Sequence, residues 1–216
     1  MSYVGRRVIR RDAAEKAAGR AVFGSDLRLP GMLHGAVLRS PHAHARIVAI
    51  DTSRAAAAPG VRAVVTGTDF PFTFGGSIQD QPFLAVGRAR YAGEPVAAVA
   101  AETELEAQEA AELIDVEYEP LPAVLDPRLA LAANAPLVHP DLHLYRRGPH
   151  EIVAHSNICT LGRFVHGDVD EALAAADFVF EDEFSAQGLS HAALEVHCAV
   201  AQYDPLTGGY TMWVSS

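Results

Sequence analysis

Histidines are the residues of this sequence whose spacing most readily suggests chemistry. His34, His42 and His44 give a His-x-His pair with a third imidazole nearby. A His-x-His pair on a β-strand points both rings to one face, as some metal sites require. Pro41 and the flanking alanines instead favour a loop held by hydrogen bonds, and no carboxylate close in sequence completes a ligand set. The loop interpretation is therefore preferred over a metal site.

A second group with the right residue types is His191, Glu195 and His197. Glu195 and His197 are expected on one face of a strand, with His191 just before it, which would suit a small metal centre. A structural or buried polar role is the favoured alternative. Because a buried carboxylate must be paired or protonated, Glu195 is the most informative carboxylate of the chain.

Other catalytic motifs are not indicated. The Gly75-Gly76 and Gly208-Gly209 pairs lack the spacing of phosphate-binding loops, and no Gly-x-Ser-x-Gly motif occurs. Cys159 and Cys198 lie in apolar surroundings without a Cys-x-x-Cys motif, so neither a disulfide framework nor a thiolate metal site is predicted. Cysteine catalysis is disfavoured as well, and this cysteine usage fits a reducing cytoplasm.

Composition excludes several classes of partner. The chain has 216 residues and a net charge of −10, and its 17 basic residues are scattered rather than clustered. Nucleic acid is therefore not expected as a partner. No run of about 18 apolar residues occurs, and no apolar stretch follows the basic start, so neither a membrane span nor a signal peptide is predicted.

The first half of the chain alternates predicted strands with short helices, which indicates an α/β fold. Thr103 and Glu106 form a capping box, the signature of a helix start. An extended arm is expected up to residue 30 and a long Gly-, Pro- and Phe-rich loop at 67–87. The predicted strands are 32–38, 45–50, 61–66, 96–101 and 114–119, and the predicted helices are 55–58 and 103–113.

The second half follows a Pro-rich crossover at 126–155. Strands are predicted at 157–165 and 178–184, and a helix capped by Asp168 and Glu171 runs to Ala176. A hairpin is expected from strands 195–203 and 210–214, joined by a turn at 204–209. Its second strand ends at Ser216 without a cap or cover, so further chain is expected, or an end that is frayed or covered by another copy.

Several longer motifs occur in a characteristic order. They are Lys16–Asp26 (KAAGRAVFGSD), Leu29–Ile50 (LPGMLHGAVLRSPHAHARIVAI), Thr66–Asp69 (TGTD), Tyr91–Ala97 (YAGEPVA), Val116–Pro122 (VEYEPLP), Gly167–Asp170 (GDVD) and His191–Glu195 (HAALE). In this order the chain resembles the start of the large subunit of the molybdenum hydroxylases, the family of xanthine dehydrogenase, aldehyde oxidase and 4-hydroxybenzoyl-CoA reductase.

The resemblance implies an α/β (α+β) chain with four parts. These are an N-terminal arm at 1–17, an α/β-hammerhead domain at 18–125, a linker at 126–155 and the start of a molybdopterin-binding domain at 156–216. It also implies an oxidoreductase in which molybdenum on a molybdopterin dinucleotide hydroxylates an N-heterocycle, an aldehyde or an aryl-CoA with oxygen from water. Electrons would pass to an iron–sulfur subunit or domain and an FAD subunit or domain, with the arm as a docking strap. The remainder of the large subunit is a further expected partner, and a homo-oligomer stays open.

The resemblance also implies that parts of the site are lacking. The family's Gly-Gly-Phe-Gly cofactor loop and its late glutamate base have no counterpart in these residues. No catalytic, cofactor-binding or metal-binding residue is therefore assigned, and the chain alone is expected to be inactive and free of cofactor. Val196 replaces the proline expected after Glu195, which leaves the surroundings of that glutamate open. The alternatives are a non-catalytic interaction or assembly module, or a small metalloprotein using His191, Glu195 and His197.

Overall fold

A computed structural model gives the fold of the chain and describes residues 3–149 and 151–215. The chain divides into two compact units: a larger one, Gly31–Phe178, and a smaller one, Met1–Pro30 with Val179–Ser216. Among the described residues, no helix is long and apolar enough to cross a membrane. Residue 150 of the predicted linker and Ser216 of the predicted terminal strand lie outside the described residues.

The larger unit is built mainly on two antiparallel sheets. Its strands are β1 (His34–Arg39), β2 (Ala45–Asp51), β3 (Val61–Thr66), β4 (Thr73–Phe74), β5 (Gln81–Pro82), β6 (Arg88–Ala89), β7 (Pro95–Ala101) and β8 (Asp115–Pro120). One sheet has the order β1-β7-β3 and the other β6-β2-β8, and β4 pairs with β5 as a small hairpin. The five strands predicted in this half are confirmed, and the long loop holds only the β4–β5 hairpin.

Three short helices complete the larger unit: α2 (Ser53–Ala56), α3 (Glu104–Glu112) and α4 (Val169–Ala175), with α1 (Ala13–Ala17) belonging to the smaller unit. The start of α3 shows the predicted capping box, since the Glu106 amide donates to Thr103 Oγ1 (3.2 Å) and the Thr103 amide donates to Glu106 Oε2 (3.0 Å). Such caps stabilise a helix by about 0.5–2 kcal/mol. In α4, the Glu171 amide donates to Asp168 Oδ1 (2.9 Å), as the sequence predicts.

The core lies between α3 and the β1-β7-β3 sheet. Most of its buried residues are alanines: Ala55, Ala97, Ala110 and Ala111, with Val99 and Ile114. Alanines on both surfaces let the helix approach the sheet closely. Gly60, in the turn before β3, lies beside the start of α3, and a Cβ added there would lie 2.3 Å from the Glu106 carboxyl carbon. The hammerhead-like half of the chain therefore has a compact frame in which loops can be held accurately.

The smaller unit is organised around a β-hairpin. Strands β9 (Ala199–Asp204) and β10 (Gly209–Val214) pair in register, with Tyr203 opposite Tyr210. Asp204 holds the turn by accepting bonds from the Leu206 amide (2.9 Å) and the Thr207 hydroxyl (2.8 Å). The predicted hairpin is confirmed. Residues 3–30 are less extended than predicted, because they contain α1 and a 3₁₀ turn at Gly24–Asp26.

Two predicted strands of the second half are wrong. Residues 157–165 contain only one isolated bridge, Leu161 to Glu151, and residues 178–184 form no strand. A strand needs a neighbour to satisfy its backbone, and the described residues offer these segments none. Their aromatic side chains stay almost fully exposed: Phe164, Phe178, Phe180 and Phe184. The first hairpin strand also begins at Ala199 rather than Glu195.

Candidate functional site

The loop at residues 40–44 carries two of the predicted histidines. It connects β1 to β2 and is held from within, because the Ser40 hydroxyl accepts from the His42 amide (3.1 Å) and donates to the His42 carbonyl (3.2 Å). The buried backbone of Ser40 is also bonded, as its amide donates to the Glu94 carbonyl (2.9 Å) and its carbonyl accepts from the Gly93 amide (2.8 Å). The interpretation as a hydrogen-bonded loop is confirmed.

His44 is the central side chain of this loop. It is only 5% exposed, and both ring nitrogens have partners. Nδ1 lies 2.7 Å from the Pro122 carbonyl, which can only accept, and Nε2 lies 3.1 Å from Arg88 Nη1, which can only donate. The partners therefore assign the neutral tautomer with the proton on Nδ1. In this form His44 joins the loop to β6 and to the chain that leaves β8.

Glu94 is a buried carboxylate, 4% exposed, at the entrance to β7. Its Oε2 accepts from the Arg90 amide, and its Oε1 lies 4.0 Å from Arg90 Nη1. Burial raises the pKa of Glu94, although the amides of Arg90 and Tyr91 and the Arg90 charge act in the opposite direction. Arg90 Nε is buried and has no hydrogen-bond partner among the described residues.

His139 extends this polar cluster from the linker. Burial lowers its pKa, and the charges of Arg90 and Arg88 lower it further, while Asp80 acts in the opposite direction. Its Nδ1 lies 3.1 Å from the Tyr145 hydroxyl. A neutral imidazole is therefore favoured at this position, next to two guanidinium groups.

Tyr118 lies on the other side of the loop, in edge contact with the His42 ring (4.9 Å between centroids). Its hydroxyl is buried without a hydrogen-bond partner within 3.5 Å in the described structure. Burial raises the pKa of Tyr118; the nearby Ser40 hydroxyl lowers it by less. His42 and His44 thus contact different partners, and His34 lies at the start of β1, so the structure does not bring these three histidines together as one ligand set.

His191, Glu195 and His197 are also not brought together as predicted. All three are exposed and precede β9, so the expected common strand face and the expected burial of Glu195 are wrong. A left-handed residue, Ala192 (φ 47°), turns the backbone between His191 and Glu195. Within residues 3–149 and 151–215, no group of three His, Cys, Asp or Glu side chains is placed to hold a metal ion.

Glu195 instead lines a groove of the smaller unit, with a volume of about 590 Å³. Phe23, Met212 and Trp213 are among its apolar residues, and Asp12 and Glu15 are further acidic residues of its wall. The Asp12 carboxylate is paired with Arg10 (2.5 Å) and Lys16 (2.8 Å), and these contacts hold its pKa well below the usual range.

Comparison with known proteins explains the order of these parts. Residues 18–122 match the model of the aldehyde oxidase and xanthine dehydrogenase a/b hammerhead domain, and residues 150–216 match the molybdopterin cofactor-binding domain. The chain belongs to the xanthine dehydrogenase and aldehyde oxidase family. It is 40% identical to a probable xanthine dehydrogenase component of Bacillus subtilis, over 96% of this chain and 26% of that protein.

Solved structures of this family have the same fold. CO dehydrogenase from Oligotropha carboxidovorans matches 97% of this chain and 27% of its own length, at 34% identity and a TM-score of 0.82. Quinoline 2-oxidoreductase from Pseudomonas putida 86 matches 97% of this chain and 26% of its own, at 35% identity and a TM-score of 0.73. The chain therefore spans about a quarter of the length of these relatives, and its fold class is α/β with a hammerhead domain, as the sequence predicts.

The groove of the smaller unit does not fit a molybdenum cofactor. A pterin dinucleotide carries a negatively charged pyrophosphate, which basic side chains or a long helix N-terminus would bind. The groove of the smaller unit instead has three carboxylates and one lysine in its wall. No catalytic step is therefore derived through the cofactor from these residues.

Sequence reasoning missed Arg88, Arg90, Glu94 and His139. The burial of Glu94 could have been suspected from the sequence, because this glutamate directly precedes the apolar run of β7, where the chain enters the core. The arginines and His139 gave no such signal, since their partners come from distant parts of the chain.

Proposed function

We propose that this chain is the N-terminal segment of the large subunit of a molybdenum hydroxylase. The observation that carries the proposal is the pair of family matches in sequence order, hammerhead first and cofactor-binding domain second. The complete subunit would hydroxylate an N-heterocycle, an aldehyde or an aryl-CoA, using molybdenum on a pterin dinucleotide and oxygen from water. Relatives named for xanthine, nicotinate and carbon monoxide support the class of enzyme but leave the substrate open.

Within that subunit, the hammerhead at 18–125 acts as a scaffold. The network around His44 and Glu94 supports this role, because it ties the loop after β1 to β6, to β7 and to the end of β8. The linker at 126–155 then leads to the start of the cofactor-binding region at 156–216. An iron–sulfur subunit or domain and an FAD subunit or domain are the proposed electron-transfer partners, and the arm at 1–17 is a docking strap.

The chain by itself is proposed to be inactive and to bind no cofactor. Its acidic groove and the exposed phenylalanines of residues 164–184 support this, because a cofactor-binding domain needs both a suitable pocket and a covered core. A reducing cytoplasm is proposed as its location, since Cys159 and Cys198 are free thiols.

The test compares two proteins made in the same molybdate-supplemented host: the 216-residue chain, and the complete polypeptide that contains it with its partner subunits. Each is supplied with N-heterocycles, aldehydes and aryl-CoA esters in ¹⁸O-labelled water with an artificial electron acceptor. The complete enzyme should transfer ¹⁸O to at least one product, and the chain alone should transfer none. Product oxygen derived from O₂, or turnover by the chain alone, would contradict the proposal.

A further inference from the structure

Residues 139–148 of the linker, here called the clasp, are fastened to a loop of the hammerhead. The Gln79 amide donates to the Arg146 carbonyl (2.8 Å), and the Gly148 amide donates to the Ser77 carbonyl (3.1 Å). Among the described residues, these are the backbone bonds that join the clasp to the hammerhead. A segment with few such bonds can detach at a lower free energy than that of global unfolding.

His139 places an imidazole of the clasp beside a cluster of charged side chains. Within the described residues, the charged and titratable groups of the hammerhead that act on it are Arg90, Asp80, Arg88 and His44. From the clasp itself, the Tyr145 hydroxyl lies 3.1 Å from His139 Nδ1. Leu142, three positions further on, is 3% exposed. His139 therefore lies at the buried side of the clasp, next to two guanidinium groups and one carboxylate.

The same cluster has more hydrogen-bond donors than acceptors. Arg88 Nη1 is bonded to His44 Nε2 (3.1 Å), and Arg90 Nε is buried without a partner in the described part of the chain. Within the described residues, the only ion pair of these two arginines is the 4.0 Å contact between Arg90 Nη1 and Glu94 Oε1. A neutral imidazole at His139 offers the cluster an acceptor nitrogen. An imidazolium would instead add another donor and another positive charge.

We propose that the clasp is a pH-sensitive latch: protonation of His139 releases residues 139–148 from the loop at 77–80, while the strands of the hammerhead stay folded. Burial, Arg90 and Arg88 lower the pKa of His139 in the closed clasp, and Asp80 acts in the opposite direction. The neutral form therefore holds the clasp closed at pH values above the pKa of the open state. That contribution is lost as pH falls towards the pKa of the closed state. The latch goes beyond the proposed enzyme class and does not depend on hydroxylase activity.

Amide hydrogen exchange of the complete polypeptide with its partner subunits tests the latch. The reporters are the amides of Gln79 and Gly148, which lose their bonds when the clasp opens. Exchange is followed by mass spectrometry with electron-transfer fragmentation at about pH 8 and about pH 5.5, on either side of the ordinary imidazole pKa. Each rate is divided by the intrinsic rate of the same amide at that pH. Protection of both reporters should fall about tenfold at the lower pH.

The Glu102 amide measures global stability in the same experiment. It donates to the Gly60 carbonyl (3.0 Å) at the end of β7, away from the clasp, and its protection should stay the same at both pH values. A variant that does not fold is recognised because the protection of Glu102 is lost as well.

Two substitutions separate His139 from other titrating groups. His139→Gln keeps a side chain that donates and accepts hydrogen bonds but takes up no proton, so the reporters should stay protected at both pH values. His143→Gln is the matched control on the same clasp. The His143 side chain is exposed, with its ring 5.0 Å from that of His155, so this variant should keep the original pH dependence.

Any of four results would overturn the latch. The protection of Gln79 and Gly148 could be equal at both pH values, or it could fall together with that of Glu102, which is global acid unfolding. The His139→Gln variant could retain the full pH dependence, or His143→Gln could abolish it.

Discussion

Replacing His44 with leucine should destabilise the larger unit strongly, although the side chain has no assigned role in catalysis. The ring makes one bond to a neutral carbonyl, Pro122 at 2.7 Å, and one to a charged guanidinium, Arg88 at 3.1 Å. A neutral bond contributes about 1 kcal/mol and a bond to a charged group about 1.5–3 kcal/mol, so the expected loss is about 2–4 kcal/mol. For a unit of this size, each kcal/mol corresponds to a shift of about 2–4 °C in Tm.

The measurement is urea unfolding followed by far-UV circular dichroism, because Trp213, the one tryptophan, lies in the smaller unit. His34→Leu is the matched control, since His34 is half-buried on β1 without a side-chain hydrogen bond in the described structure. That control should cost less than about 1 kcal/mol. A double-mutant cycle with Arg88→Met should give a coupling of about 1–2 kcal/mol between the two side chains.

A His44→Leu variant no less stable than His34→Leu would contradict the role of His44 in holding the loop. A cycle without coupling would show that His44 Nε2 is not the acceptor for Arg88. The first result would mean that the His44 side chain does not hold the loop after β1, and the second would leave only its bond to Pro122.

Three further changes test other parts of the structure. His139→Gln should flatten the pH dependence of stability. The pKa of His139 is lowered in the folded state, so its neutral form stabilises the fold at pH values above the unfolded pKa. That contribution is lost as pH falls through 6.5 towards the folded pKa. Melting curves between about pH 8 and pH 5 should show a smaller decline in the variant, and an equal decline would contradict the assigned burial. Thr103→Ala should lower the free energy of unfolding by about 0.5–2 kcal/mol through loss of the α3 cap, and a neutral result would show that the cap contributes nothing. Gly67→Ala should lower the free energy of unfolding by about 1–3 kcal/mol, because the new Cβ would lie 2.6 Å from the Ala85 carbonyl oxygen. Gly76→Ala is the control, since a Cβ there meets open space and should cost no such amount. Equal Tm values for the two variants would refute the close approach at Gly67.

Helices, strands and turns were predictable where residue types within a few positions of one another determine the local structure. Val61–Thr66 was predicted at its observed bounds, because β-branched residues follow Pro59-Gly60, which cannot continue a helix. The cap at Thr103 and the turn that Asp204 holds were also visible, since each depends on neighbours within a few positions.

Long-range contacts were not predictable from sequence patterns. The bond between Arg88 and His44, and the burial of Glu94, depend on which strands pair and in what register. The two wrong strands, at 157–165 and 178–184, have another cause. Their apolar residues indicate surface to be buried, and the described residues do not cover it. The same reason explains Glu195, which was expected on a buried strand face and is exposed.

The family match itself explains those exposed aromatics in physical terms. The relatives are much longer than this chain, which covers 26% of the Bacillus subtilis protein. Phenylalanines such as Phe164 and Phe180 are therefore expected to be covered in the complete subunit.

The metal content of the complete subunit tests the central claim most directly. Purified with its partners from a molybdate-supplied host, the polypeptide that contains this chain should hold molybdenum and pterin in a one-to-one ratio with protein, measured by plasma mass spectrometry and pterin fluorescence. The 216-residue chain from the same host should hold neither. A complete polypeptide free of molybdenum and pterin, from a host that loads a related dehydrogenase fully, would contradict the account.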